Sequence, residues 1–159
     1  MVTKFTMTAL GIKVKNNNKK PVDMNKEIEI KNEVEELDKL AALVEEVAAE
    51  LNLDPELEMN LNLALEEVVS NVILYAYPKD KVGTVSISAV SLNDSLVFTI
   101  TDKGKAFDPT KVEEADVTLS AEDRQIGGLG IYIVKNIMDE VTYQRVDVQN
   151  VLTLKKVIK

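Results

Sequence analysis

Glu67 and Asn71 stand four residues apart in a run otherwise rich in leucine, valine and isoleucine. On a helix that spacing puts both side chains on one face, about 6 Å apart along the axis. Asn60, seven residues before Glu67, falls on a similar face. A carboxylate beside an amide can serve as a general base next to an oxygen ligand for Mg2+, an ion that keeps several waters and asks for few protein ligands. The same polar stripe also reads as a solvated face or a satisfied core network. Glu66 is adjacent in sequence but points roughly 100° away. A second group is Asp102-Lys103-Gly104-Lys105-Ala106-Phe107-Asp108. It reads either as a plain turn or as an acidic acceptor for an exocyclic amine, with Gly104 leaving room for a flat ligand. A third group, Gly127-Gly128-Leu129-Gly130, is either a flexible turn or a helix start whose free N–H groups suit a phosphate. No Gly-x-x-x-x-Gly-Lys-Ser/Thr motif is present, and no parallel βαβ unit surrounds the glycines, so P-loop and Rossmann sites are excluded.

The elements around these groups follow from periodicity. Glu27–Lys31 alternates and predicts a short strand. Val34, Leu37, Ala41, Val44, Val47 and Leu51 recur at three- and four-residue spacing, predicting an amphipathic helix. Asn32 is placed to cap it, with Glu35 as the capping-box partner, and Asn52 ends it. Asp54-Pro55 opens a second helix that should run to about Ala76 and stop before Pro78, with Glu56 and Glu58 at the positive end of its dipole. Leu57, Leu61, Leu65, Val68 and Val72 form its apolar stripe, widened by Leu63, Val69 and Ile73, so this helix should be largely buried.

Val85, Ile87 and Ala89, then Asn93-Asp94, then Leu96, Phe98 and Ile100 predict a β-hairpin ending at Asp102. Residues 108–126 have no clear period, apart from a short helical turn over Leu119–Asp123. A loop of that length in a compact domain is functional or disordered. The glycines lead into a helix with Ile131, Val134, Ile137 and Met138. Val141–Val146 and Val151–Val157 close the chain as an antiparallel pair around Asp147–Asn150. The sum is an α+β two-layer sandwich, about three helices on one face of a mixed or antiparallel sheet.

Composition narrows the chemistry. The 159 residues suit one domain, with 45% hydrophobic and 29% charged residues. Without cysteine there is no disulfide, thiolate nucleophile or cysteine metal site, which fits a reducing compartment. Without histidine there is no Ser-His-Asp triad, no histidine-bound zinc and no phosphohistidine on this chain. No apolar run nears the ~18 residues needed to cross a bilayer, and the first residues make a poor signal peptide. Residues 1–23 hold five lysines against Asp23 alone, a net +4, so the total of −8 leaves −12 for the rest. Such an acidic body repels nucleic-acid phosphates, so no direct nucleic-acid contact and no membrane are expected. The basic head, including NNNKKP, reads as a tail, an extra strand or an upstream extension of a chain starting at Met24.

Taken in order on helix, strand end and helix start, the three groups resemble the GHKL ATPase/kinase superfamily with the Bergerat fold. Glu67-Val-Val-Ser-Asn71 resembles its N box, Asp102-x-Gly104-x-x-Phe107 its first glycine box, and Gly128-Leu129-Gly130 its second. Within it the chain is similar to the anti-sigma-factor serine/threonine kinases, above all along Gly128–Tyr143 and in its compact size. The resemblance covers roughly residues 26–156. It leaves residues 1–25 as a basic tail or extension and makes residues 26–159 a histidine-kinase-like ATPase domain.

The resemblance implies a role for each matching residue. Glu67 is the general base, and Asn71 the Mg2+ ligand that ties the metal to the triphosphate. Asp102 bonds the adenine amine, Gly104 lies close beside the base, and Phe107 is a pocket wall. Gly128, Leu129 and Gly130 belong to the phosphate-facing loop. Residues 108–126 are the lid over the nucleotide, and Arg124 within it neutralises the γ-phosphate. The implied function is an ATP-dependent protein serine/threonine kinase that phosphorylates a small antagonist, the anti-anti-sigma protein, and regulates a sigma factor. ATP and Mg2+ are the cofactors, the location is cytoplasmic, and a homodimer through residues 27–52 fits the pattern. The alternative is a non-catalytic interaction module of the same fold whose binding face depends on nucleotide. Three positions depart from the family pattern: Tyr75 where relatives often have His, Ala106, and Asn150 near a position that is commonly Thr.

Overall fold

A computed structural model describes residues 6–7, 13–14, 23–112 and 128–158. Two short strands, β1 (Thr6–Met7) and β2 (Lys13–Val14), pair with each other. The main sheet has five strands: β3 (Met24–Lys31), β4 (Thr84–Leu92), β5 (Ser95–Asp102), β6 (Glu140–Val146) and β7 (Gln149–Val157). Their order is β3-β4-β5-β7-β6, and every neighbouring pair is antiparallel. Three helices accompany it: α1 (Leu37–Leu51), α2 (Pro55–Tyr75) and α3 (Gly128–Ile137). The α+β sandwich expected from the sequence is therefore present, with a wholly antiparallel sheet.

Alternation decides which sheet face is covered. Val85, Ile87 and Ala89 of β4, Leu96, Phe98 and Ile100 of β5, and Leu152 and Leu154 of β7 are buried. They form one core with Leu40, Val44 and Val47 of α1, Leu61, Leu65, Val68 and Val69 of α2, and Ile131 and Val134 of α3. α2 lies between α1 and α3, touching both. Full burial of a leucine-sized side chain here contributes about 1.5–3 kcal/mol. The residues between, such as Ser86, Ser88, Thr99 and Thr153, are only partly buried and face away from the helices.

Local chemistry sets most element ends. The Asp54 side chain accepts from the Glu56 N–H at 2.7 Å, and Pro55 occupies the first helical position. Asn52 closes α1 in the left-handed conformation, φ 51°, and Leu53 N donates to Ala48 O. Asn93 and Asp147 take the same conformation in two-residue turns between β4 and β5 and between β6 and β7.

The start of α1 departs from expectation. A 3₁₀ turn over Val34–Glu36 precedes it, and Asn32 does not cap it. The Asn32 side chain instead donates to Lys81 O and accepts from Gly83 N, bracing the loop before β4. Glu36, not Glu35, reaches back to Lys31 N and also holds Lys39. That turn shifts the helix phase, because a 3₁₀ turn holds 3.0 residues rather than 3.6. Val34 and Ala41 are thus exposed, while Leu40, Leu43 and Ala48 are buried. On α2, Met59, Leu63 and Leu74 are exposed, so this helix is covered on its core side only. Strand β3 starts at Met24, three residues earlier than alternation suggests and inside the stretch assigned to the tail. Among the described residues no helix is long and apolar enough to cross a membrane.

Candidate functional site

A cavity of about 590 Å³ opens between α2, α3 and one end of the sheet. Glu67, Asn71, Asp102, Phe107 and Gly130 all line it, so residues from three separated stretches meet at one place.

Asp102 is where the alternation of β5 leads. Leu96, Phe98 and Ile100 point inward, so the next inward position is Asp102, only 5% exposed. Burying a carboxylate is costly unless hydrogen bonds compensate. Its Oδ1 accepts from Gly104 N at 2.9 Å and from Asn150 Nδ2 at 3.0 Å. Its Oδ2 has no partner among the described residues. A nearly buried carboxylate with one oxygen fixed and the other unpaired at a cavity is a ready acceptor for a ligand N–H. Asn150 sits directly opposite Asp102 in the β5–β7 register, so the two side chains share the covered face. Tyr143 on β6, also on the wall, donates to Asn150 Oδ1 at 2.6 Å. The β6 alternation, Val141 then Tyr143, was the signal that could have picked out this tyrosine.

The other end is chemically different. Glu67 and Asn71 project from α2, and neither side chain has a hydrogen-bond partner among the described residues. Gly130 lies against them: a Cβ placed there would fall 2.7 Å from Glu67 Oε2 and 4.0 Å from Asn71 Nδ2. Real Cβ contacts do not come that close, so only glycine leaves Glu67 where it is. Gly128, Leu129 and Gly130 form the first turn of α3 rather than a loop ahead of it. Their N–H groups are those a helix leaves free at its start. Leu129 is exposed and not part of the cavity wall.

Gly104 does not line the cavity either. A Cβ on it would meet Ala76 O at 2.5 Å, and Lys105 N donates to that same carbonyl. Its missing side chain lets the loop after Asp102 press on the end of α2. Tyr77 completes this clasp: its hydroxyl donates to Thr84 O at 2.6 Å and accepts from Lys103 N at 2.9 Å. Gly83 lies against the Tyr77 ring, with no room for a side chain. Burial pushes the Tyr77 hydroxyl above the ordinary tyrosine range.

Lys105 and Tyr75 also line the cavity; Tyr75 is 72% exposed and stands at its rim. Arg124 and residues 113–126 of the expected lid lie outside the described residues, as does the helical turn expected over Leu119–Asp123. Asp108 is described: its carboxylate accepts from Thr110 N and caps the short 3₁₀ turn Pro109–Lys111. Among the described residues no group of three acidic side chains gathers to hold a metal.

Comparison with known proteins shows the family of the chain. Residues 30–156 match the family model described as histidine kinase-like ATPase domain. The chain is 27% identical over 111 residues to the serine/threonine-protein kinase BtrW of Bordetella bronchiseptica, covering 70% of this chain and 78% of that protein. It is 34% identical over 85 residues to the serine-protein kinase RsbW of Staphylococcus aureus, covering 50% and 54% of the two chains. It is 28% identical over 99 residues to the RsbW of Listeria monocytogenes, covering 60% and 63%. The chain thus spans little more than half the length of the Staphylococcus relative. In fold it is similar to the crystal structure of the RsbU and RsbW domains of Rv1364c from Mycobacterium tuberculosis, with TM-score 0.60 and 15% identity, covering 84% of this chain and 32% of that one. With the family model matched along most of its length, the chain belongs to the GHKL-like histidine kinase-like ATPase domain family.

Proposed function

We propose that this chain is an ATP-dependent protein serine/threonine kinase of the anti-sigma-factor type. It transfers the γ-phosphoryl group to a hydroxyl of a small antagonist protein. It also binds and regulates a sigma factor, and a second copy of the chain is a further partner. One observation carries the reading: Asp102 Oδ2 at one end of the cavity, and Glu67 and Asn71 at the other, are acceptors without partners in the described protein. The names of the relatives, serine-protein kinase RsbW and serine/threonine-protein kinase BtrW, support the same activity class.

In this reading the adenine amine donates to Asp102 Oδ2 and Phe107 forms the wall beside the base. The phosphates lie toward Glu67, Asn71 and the first turn of α3, whose N–H groups and dipole favour anions. Glu67 takes the proton of the acceptor hydroxyl as its oxygen attacks the γ-phosphorus. The bond from that phosphorus to the β–γ bridging oxygen breaks, and ADP leaves. Such transfer depends on positioning and charge more than on a nucleophilic side chain, so the lack of cysteine and histidine is no obstacle. The Asn71 amide oxygen, without a partner among the described residues, suits Mg2+, which when bound would neutralise phosphate charge. Arg124 is the cation this reading assigns to the γ-phosphate, and residues 108–126 are the assigned lid.

The test is transfer of labelled γ-phosphate from Mg-ATP to the cognate antagonist. Wild type should label a serine or threonine, and Glu67→Ala should not. Equal rates in the two would refute the assignment of the base. Tight ATP binding without transfer to any partner would point to the non-catalytic module instead.

A further inference from the structure

Asn150 uses every hydrogen-bonding position of its amide inside the protein. Nδ2 donates to Asp102 Oδ1 at 3.0 Å and to Lys105 O at 2.9 Å. Oδ1 accepts from Tyr143 OH at 2.6 Å and from Phe107 N at 3.3 Å. An amide has two donors and an oxygen with two lone pairs, so nothing remains for a ligand or a water. The orientation is unambiguous. Flipped, the NH₂ would face the Phe107 N–H and the oxygen would face the Lys105 carbonyl. Asn150 is 6% exposed, and the residues that it ties together come from three segments: β5 with the loop after it, β6 and β7 itself. Arg145, opposite Asn150 in the β6–β7 register, adds a bond to Gly104 O at 3.0 Å.

We infer that Asn150 is a positioning residue that sets base specificity: it locks Asp102 by Oδ1, so that Oδ2 alone is offered to the exocyclic amine of the ligand. The inference rests on the nucleotide reading above and deepens it. A carboxylate free to rotate would present either oxygen, or a water, and would accept from the amine in a loose geometry. Held by Gly104 N and Asn150 Nδ2, it presents one acceptor in one direction. Because Asn150 itself has nothing left to offer, discrimination falls on that single oxygen. A ligand with a hydrogen in place of the amine leaves Oδ2 buried and unpaired.

The experiment compares ATP with purine riboside 5′-triphosphate, which differs only in lacking the 6-amino group, by calorimetric titration in Mg2+. Wild type should bind ATP about tenfold to a hundredfold more tightly, the worth of a hydrogen bond to a charged acceptor. In Asn150→Ala the preference should collapse to below about fivefold, with affinity for purine riboside triphosphate nearly unchanged. A brace with no part in specificity would instead lower both affinities equally and leave their ratio intact, which would overturn the inference. Tyr143→Phe removes one outer bond of the same amide. It should reduce the ratio about threefold, and it decides the matter if the alanine variant does not fold. Wild type that binds both triphosphates equally would overturn the role of Asp102, and wild type that binds neither would overturn the nucleotide reading itself.

Discussion

The two ends of the cavity are built on opposite plans. At the Asp102 end the side chains are already wired to the protein: Asp102, Asn150 and Tyr143 and the Phe107 backbone share a closed set of bonds, leaving one acceptor over. At the Glu67 end the described residues supply no such wiring, and among them Glu67 and Asn71, next to a glycine, have no side-chain hydrogen-bond partner. A saturated polar network is rigid and specifies one geometry. Unpaired groups at a cavity rim are completed by what binds there. On the proposed function the contrast separates recognition, which is pre-formed, from chemistry, which waits for the ligand, and changes at the two ends should have different signatures.

The largest effect belongs to Glu67. Glu67→Gln keeps size and removes the base that the proposed function assigns, so the transfer rate should fall about 10²–10⁴-fold with nucleotide affinity within a few-fold of wild type, measured by single-turnover transfer. A comparable loss of affinity would blur the division between the ends. Gly130→Ala comes next. Its Cβ must displace the Glu67 carboxylate rather than backbone, so the fold should persist while transfer drops on the order of 10²-fold. A melting temperature near wild type with a slow transfer rate is the expected pair of results.

Gly104→Ala tests the bracing of the recognition end. The new Cβ meets the Ala76 carbonyl, which cannot move aside like a side-chain tip. Overpacking of this kind costs about 1–3 kcal/mol, to be read from the denaturant midpoint. Tyr77→Phe is milder. It leaves Lys103 N and Thr84 O without the hydroxyl and should cost about 1 kcal/mol. It also has a pH signature. Burial raises the folded hydroxyl above its unfolded value, so the tyrosine's contribution is complete below about pH 10 and is lost as pH rises through the folded value. Stability of wild type should therefore decline on the alkaline side more steeply than that of Tyr77→Phe.

What the sequence made legible was what neighbouring residues decide. The Asp54-Pro55 start of α2, the Asn52 end of α1 and the Asn93 turn rest on caps and turns within a few positions. The one-turn spacing of Glu67 and Asn71 and the strand-end place of Asp102 followed from period alone. What was misread depends on distant partners. Asn32 looked like a helix cap, but its bonds reach Lys81 and Gly83, about fifty residues away. Asn150 looked like part of a turn. It lies inside β7 because groups on β5, on β6 and in the loop after Asp102 satisfy its amide, and the turn is confined to residues 147–148. Gly104 looked like a place for a ligand to approach, whereas the close neighbour is the end of α2. The stripe of α1 slipped because a 3₁₀ turn precedes it, and periodicity carries no mark of that.

The central claim, that these stretches form one nucleotide cradle, is tested most directly by a thermal-shift titration with Mg-ADP on wild type and Asp102→Asn. At a hundredfold excess over the dissociation constant, mass action should stabilise wild type by about 2.7 kcal/mol, a rise of roughly 5–10 °C. Asp102→Asn, which turns an acceptor toward a donor, should show little or no rise at the same concentration. A wild-type melting temperature that stays flat at millimolar nucleotide, or an identical rise in the variant, would contradict the account.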